Sequence, residues 1–175
     1  MTKHELPKAY DFKATESRIY AMWEAGGYFK PHNDPNKPDF DPNVKPFVIS
    51  IPPPNVTGEL HIGHAMFVSV EDLMVRYHRM KGFSTLWVPG TDHAGIATQV
   101  QVEKALKKEE RLTKYDLGRE KFLERVWQWK EKHGGIIINQ LKKLGCSCDW
   151  TRERFTMDPE YSRCVQKVFV ELYKK

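Results

Sequence analysis

Two histidines stand three residues apart at the head of a helix-patterned segment, Leu60-His61-Ile62-Gly63-His64-Ala65. Residues three apart share one face of a helix, so both imidazoles sit on the same side of its first turn. That turn has unpaired backbone N–H groups and the positive end of the helix dipole, which together attract phosphate. Imidazoles added there would stabilise charge on a polyphosphate, and Gly63, lacking a Cβ, would let a flat ring lie against the backbone. The chemistry suggested is attack at the α-phosphate of ATP, where alignment and charge stabilisation matter more than covalent participation. A solvated helix face or part of a metal site carries the same His-x-x-His spacing, so the pair has to be read with its surroundings. Neither the P-loop pattern nor the glycine-rich dinucleotide fingerprint occurs in the chain, which sets those two phosphate-binding devices aside.

A second polar motif, Pro89-Gly90-Thr91-Asp92-His93-Ala94-Gly95-Ile96-Ala97-Thr98-Gln99, lies further along. Alone, Gly90-Thr91-Asp92 reads as a turn followed by a helix cap, and an aspartate there is a cap about as readily as a ligand. Each motif, however, follows a strand-like apolar run. Phe47-Val48-Ile49-Ser50-Ile51 and a triple proline, Pro52-Pro53-Pro54, precede the histidines, and Ser84-Thr85-Leu86-Trp87-Val88 precedes Asp92. Strand, helix and strand in that order make a parallel unit, and ligands of such sheets bind beyond the carboxyl ends of the strands. Both motifs are thus expected at one edge of one sheet.

The remaining elements can be read coarsely. Glu16 to Ala25 predicts a short helix with Ile19, Tyr20, Met22 and Trp23 as its apolar face, closed by Gly26-Gly27. A loop rich in Pro, Asn and Asp spans His32 to Pro46. The histidine-bearing helix runs from about Ile62 to Met80, with Ile62, Met66, Val70, Leu73, Tyr77 and Met80 in a stripe at three- and four-residue spacing and Gly82 as its cap. Another helix covers about Ile96 to Lys108. Thr113 with Asp116 opens a longer helical stretch, bent at Gly134-Gly135 and ending at Gly145. Asp158-Pro159-Glu160 caps a last helix that reaches Lys175 with no glycine or proline to close it, the pattern of a chain that continues. The expected class is α/β with a parallel sheet and flanking helices.

Pro52-Pro53-Pro54-Asn55-Val56-Thr57-Gly58 followed by Leu60-His61-Ile62-Gly63-His64 resembles the His-Ile-Gly-His signature of class I aminoacyl-tRNA synthetases. Taken with the Pro89 to Gln99 motif, the likeness is to the valine-specific members. Pro7-Lys8-Ala9-Tyr10-Asp11, the stretch Leu117 to Lys130, Gly145 to Trp150 and Phe155 to Asp158 fit the same group, so the resemblance covers nearly the whole chain. It implies a Rossmann-like parallel sheet, the nucleotide-binding half-domain that carries the histidine signature. It further implies a division into an N-terminal helix and loop (1–46), the first half of the catalytic domain (47–112) and a helical segment leading to an editing insertion (113–175).

The activity implied is ATP-dependent activation of L-valine and its ligation to tRNA(Val). His61, His64 and Thr57 would be catalytic, with His61 and His64 stabilising the triphosphate, Thr57 on a phosphate and Gly63 against the adenine. The amino acid would lie along the backbone at Pro52 and Pro53, with Asn55 lining its pocket and Asp92 pairing with its ammonium group. Mg2+ would accompany ATP, held by phosphates and water with no protein-bound metal. Family members are several times longer, so the Lys-Met-Ser-Lys-Ser signature, the editing domain and the anticodon-binding domain are expected in a remainder of the synthetase chain. Two other readings stay open on the residues: a non-catalytic nucleotide-binding or interaction module, and a small-molecule nucleotidyltransferase with the same histidine motif.

Composition fits a cytoplasmic globular piece. The chain has 175 residues, a net charge of +5 and a pI near 9.0, compatible with a nucleic-acid partner but modest enough to mean only solubility. The N-terminus lacks the apolar core of a signal peptide, and no run approaches membrane-spanning length, so no membrane partner is expected. Cys146, Cys148 and Cys164 form neither a disulfide framework nor a zinc knuckle, and read as reduced structural thiols.

Overall fold

The computed structural model describes residues 8–175; Pro7, which opens the first of the stretches quoted above, lies outside them. The order is α1 (Phe12–Ala25), β1 (Pro46–Ser50), α2 (Ile62–Met80), β2 (Ser84–Val88), β3 (Gly90–Thr91), α3 (Ile96–Glu109), α4 (Lys114–Lys143), β4 (Arg154–Phe155) and α5 (Pro159–Tyr173). A short 3-10 turn, Trp150–Arg152, precedes β4. β1 and β2 pair in parallel from Pro46↔Ser84 to Ser50↔Val88, and β3 pairs in parallel with β4. The β1–α2–β2 unit is therefore the expected one, and the class is α/β with a small parallel sheet.

The core lies between this sheet, α2 and the C-terminal half of α4. Ile51, Val56, Val68, Val75, Trp87, Ile137 and Leu141 are buried there together with Cys146 and Cys148. Burial pushes the Cys146 thiol up to about 12, and that of Cys148 is raised further by burial and its neighbour, so both stay protonated packing residues. A second cluster, Val102, Leu106 and Phe122, joins α3 to α4.

Two local readings of the sequence are corrected. The stripe on α2 is the outer face of the helix: Ile62 and Met80 are 86% and 88% exposed, whereas the core takes Val68 and Val75. The inward face mixes those valines with polar residues that have fixed partners. The Arg79 guanidinium reaches the Ser147 hydroxyl and carbonyl, and Asp72 accepts from the Ser147 N–H and hydroxyl. Counting apolar residues alone thus selected the wrong side. The expected bend at Gly134-Gly135 is also absent, since α4 runs through both. The kink is at Gly118, whose φ of +74° and ψ of +168° only glycine adopts readily.

α1 starts earlier than the apolar pattern suggested, because the Asp11 carboxylate accepts from the Ala14 N–H and caps it. α5 buries none of its residues against the rest of the fold. No helix among the described residues is long and apolar enough to cross a membrane.

Candidate functional site

Proline cannot donate to a sheet ladder, so Pro52-Pro53-Pro54 interrupts the pairing that β1 and β2 begin. Pairing resumes one step later. The Asp92 N–H donates to the Pro54 carbonyl (2.8 Å), and the Val56 N–H donates to that of Asp92 (2.9 Å), a parallel bridge between Asn55 and Asp92. The two polar motifs therefore meet through their backbones beyond the ends of β1 and β2.

The loop between β1 and α2 is held from behind by α4. Trp129 Nε1–H donates to the Val56 carbonyl (2.9 Å), and Gln140 Oε1 accepts from the Leu60 N–H (2.9 Å). These anchors fix the loop on both sides of Thr57. They were not legible in the sequence, because they lie 73 and 80 residues from their partners.

In front of the loop is a cleft of about 320 Å³, walled by Pro52, Pro53, Asn55, Thr57, His61 and His64. The histidines cap α2 in a reciprocal arrangement. The Gly63 N–H donates to His61 Nδ1 (3.1 Å), and the His61 N–H donates to His64 Nδ1 (3.2 Å). A nitrogen that accepts carries no proton, so the neutral form of each ring bears its hydrogen on Nε2. The rings lie 3.9 Å apart at 50°, leaving two Nε2–H donors beside the N-terminus of a 19-residue helix. Such a group of donors binds and stabilises phosphate oxygens.

Gly63 is not on the cleft wall. A Cβ there would lie 2.9 Å from His61 Cε1, so the absent side chain makes room for the neighbouring imidazole to fold back over the turn. Asp92 is not on the cleft wall either; it joins the loop through its backbone, and its side chain is bonded to a residue that no spacing in the sequence connects with it. The Thr156 hydroxyl donates to Asp92 Oδ1 (2.7 Å), while His93 contacts both from its Nδ1. The turn that follows is strained: Ala94 has φ +53°, unusual for a residue with a side chain.

Burial, and after it the neighbouring His61, hold the His64 imidazole below its ordinary 6.5. A lowered value favours the neutral ring, the form that accepts at Nδ1. The cap is then complete above pH 6.5 and is lost as pH falls through the depressed value. The His64 ring protons should titrate with a midpoint below 6.5 in NMR spectra, and the His61 amide resonance should move with the same midpoint. An amide that ignores the titration would show that the two are not bonded in solution.

Residues 18–175 match the family model described as tRNA synthetases class I (I, L, M and V). The chain is 58% identical over 174 residues to a chloroplastic/mitochondrial valine–tRNA ligase of Arabidopsis thaliana, covering 99% of this chain and 17% of the relative. It is 55% identical over 170 residues to the valine–tRNA ligase of Caulobacter vibrioides, covering 97% and 18%. It thus spans under a fifth of the length of these relatives. Among solved structures, a LeuRS from Agrobacterium radiobacter, in a ternary complex with tRNA and LeuAMS, superposes with a TM-score of 0.72. That match has 23% identity and covers 95% of this chain and 18% of the other.

Proposed function

The chain belongs to the class I tRNA synthetases, and from that membership we propose that it forms the ATP- and amino-acid-binding part of a valine–tRNA ligase. The reaction is attack of the valine carboxylate on the α-phosphate of ATP, releasing pyrophosphate, followed by transfer of the valyl group to tRNA(Val) by the full-length enzyme. The observation that carries the reading is the reciprocal histidine cap, which presents two Nε2–H donors in a cleft also lined by the proline–asparagine loop. Valine as the substrate is supported by relatives at 50–59% identity that bear that specificity in their names.

In this reading His61 and His64 stabilise the charge that builds on the phosphates as the α-phosphorus is attacked, without themselves forming a bond to it. Thr57, on the same wall, donates to a phosphate oxygen. The adenine is placed at the first turn of α2, against the His61 imidazole that covers Gly63. The amino acid sits along the backbone at Pro52 and Pro53 beside Asn55, with its ammonium group toward Asp92. A carboxylate and an ammonium brought out of water offset one another's desolvation. Mg2+ comes in with the triphosphate, bound by its oxygens and by water, a role that asks for few protein ligands.

Residues 47–112 supply the nucleotide half-domain, and 113–175 lead toward an editing insertion elsewhere in the polypeptide. A cytoplasmic setting suits the buried thiols Cys146 and Cys148.

The test is ATP–pyrophosphate exchange by a full-length ligase carrying these 175 residues. Exchange is expected with valine and much less with leucine or methionine. Exchange driven best by leucine or methionine would reassign the substrate, and none with any amino acid would overturn the proposal.

A further inference from the structure

We infer that Thr156 is a positioning residue of the amino-acid site, whose hydroxyl fixes the Asp92 carboxylate in the orientation that receives the substrate's ammonium group. The inference rests on the reading of Asp92 given above and adds a residue 64 positions away in the sequence.

The proton count around Thr156 fixes the direction of each bond. The Thr156 Oγ1 has three neighbours at hydrogen-bond distance: the His93 main-chain N–H (2.9 Å), His93 Nδ1 (2.6 Å) and Asp92 Oδ1 (2.7 Å). A hydroxyl has one proton to give and two lone pairs to fill. The main-chain N–H can only donate and the carboxylate can only accept. The hydroxyl proton therefore belongs to Asp92, and His93 Nδ1 must carry a hydrogen and donate. Every capacity of the hydroxyl is used, so it cannot rotate away from the carboxylate without losing a bond.

That arrangement holds Oδ1 and leaves Oδ2 with no hydrogen bond among the described residues. A carboxylate accepts at about four positions, and this one, part-buried, receives one neutral hydroxyl, with His93 Nδ1 a further 3.3 Å neighbour whose single hydrogen is already given to Thr156. Its remaining capacity is free for a cation. A residue present only for packing or strand pairing would have no need to give its single proton to a carboxylate left half-satisfied.

The backbone fixes Thr156 in turn. Its N–H donates to the Thr91 carbonyl (3.1 Å), continuing the β3–β4 register of Gly90↔Arg154 and Thr91↔Phe155. The two strands approach closely at Gly90, where a Cβ would lie 2.9 Å from the Arg154 carbonyl oxygen. Glycine in that motif thus serves the approach that brings Thr156 to Asp92.

The experiment compares Thr156→Val, Thr156→Ser and Asp92→Asn, and the double variant of the first and last, in a full-length ligase carrying these residues. ATP–pyrophosphate exchange gives KM for valine, KM for ATP and kcat. Hydrogen bonds to charged groups are strong enough that Thr156→Val should raise KM for valine about 10- to 100-fold. The KM for ATP and kcat should stay within about threefold, and Thr156→Ser, which keeps the hydroxyl, should restore most of the loss. On the Asp92→Asn background the valine substitution should add little, because the group being positioned has lost its charge. Three results would overturn the inference: an unchanged KM for valine in Thr156→Val while Asp92→Asn is impaired, losses that multiply in the double variant, or a serine variant as impaired as the valine one. If Asp92→Asn leaves KM for valine unchanged, the assignment of Asp92 itself fails and this inference with it. Should Thr156→Val not fold, the serine variant decides: it folds on the same backbone bonds, and a KM for valine raised as in Asp92→Asn, despite its hydroxyl, counts against positioning.

Discussion

His61→Asn and His64→Asn should each slow valine-dependent ATP–pyrophosphate exchange by about 10²–10³-fold in a full-length ligase, the loss typical of removing one preorganised stabiliser of developing charge. Asparagine is the informative replacement because the two roles of each ring separate along its length. Nδ1 caps the helix, accepting from Gly63 or from the His61 N–H, and Nε2 is the end available to phosphate. At His61, the N-cap, an asparagine Oδ1 stands about where Nδ1 stood and is among the best helix caps, and at His64 it can still accept from the His61 N–H, so α2 keeps its first turn while the donor disappears. Alanine removes both ends and should cost about 1 kcal/mol more in stability for the lost cap. The KM for valine should change little in either series, since the amino acid is assigned to the proline side of the cleft. Near-normal exchange in both asparagine variants would reduce the histidines to capping residues and remove the central support for the proposed chemistry.

What the sequence made legible, and what it did not, divides along the distance over which a pattern acts. The β1–α2–β2 unit was readable because strand runs, a helix repeat and their punctuation are local. The expectation that both motifs reach one edge needed only the rule that ligands lie beyond strand ends in parallel sheets. The failures have a common cause as well. On α2 the stripe of Ile62, Met66 and Met80 is the more apolar face, yet Val68 and Val75 turn inward because Asp72 and Arg79 on that side have partners around Ser147. No spacing rule contains those partners. Trp129 and Gln140 likewise read as one aromatic and one polar residue on a long helix, and only the fold shows that they hold the loop. Gly63 gives a subtler case. The sequence marked it as a place where a flat ring could rest, and the ring found there in the chain itself is the imidazole of His61.

Asp92→Asn should weaken valine binding by roughly 2–5 kcal/mol, toward the lower end because the carboxylate is only part-buried. The substitution isolates charge. Both backbone bonds that join Asp92 to Pro54 and Val56 survive it, and an amide oxygen can still accept from Thr156, so the bridge between the motifs remains. ATP has no reason to respond, since its contacts are assigned to the histidine side of the cleft. The expected signature is a KM for valine raised at least about 30-fold, each 1.4 kcal/mol being tenfold, with KM for ATP nearly constant. An analogue sharpens the comparison. 3-Methylbutanoate keeps the branched chain and carboxylate of valine but lacks the ammonium group, so its weak inhibition should be the same for wild type and variant. Valinol, which keeps the ammonium and lacks the carboxylate, should lose affinity in the variant as valine does. If 3-methylbutanoate and ATP weaken together with valine, Asp92 is shaping the site through its backbone, and the cation must be bound elsewhere.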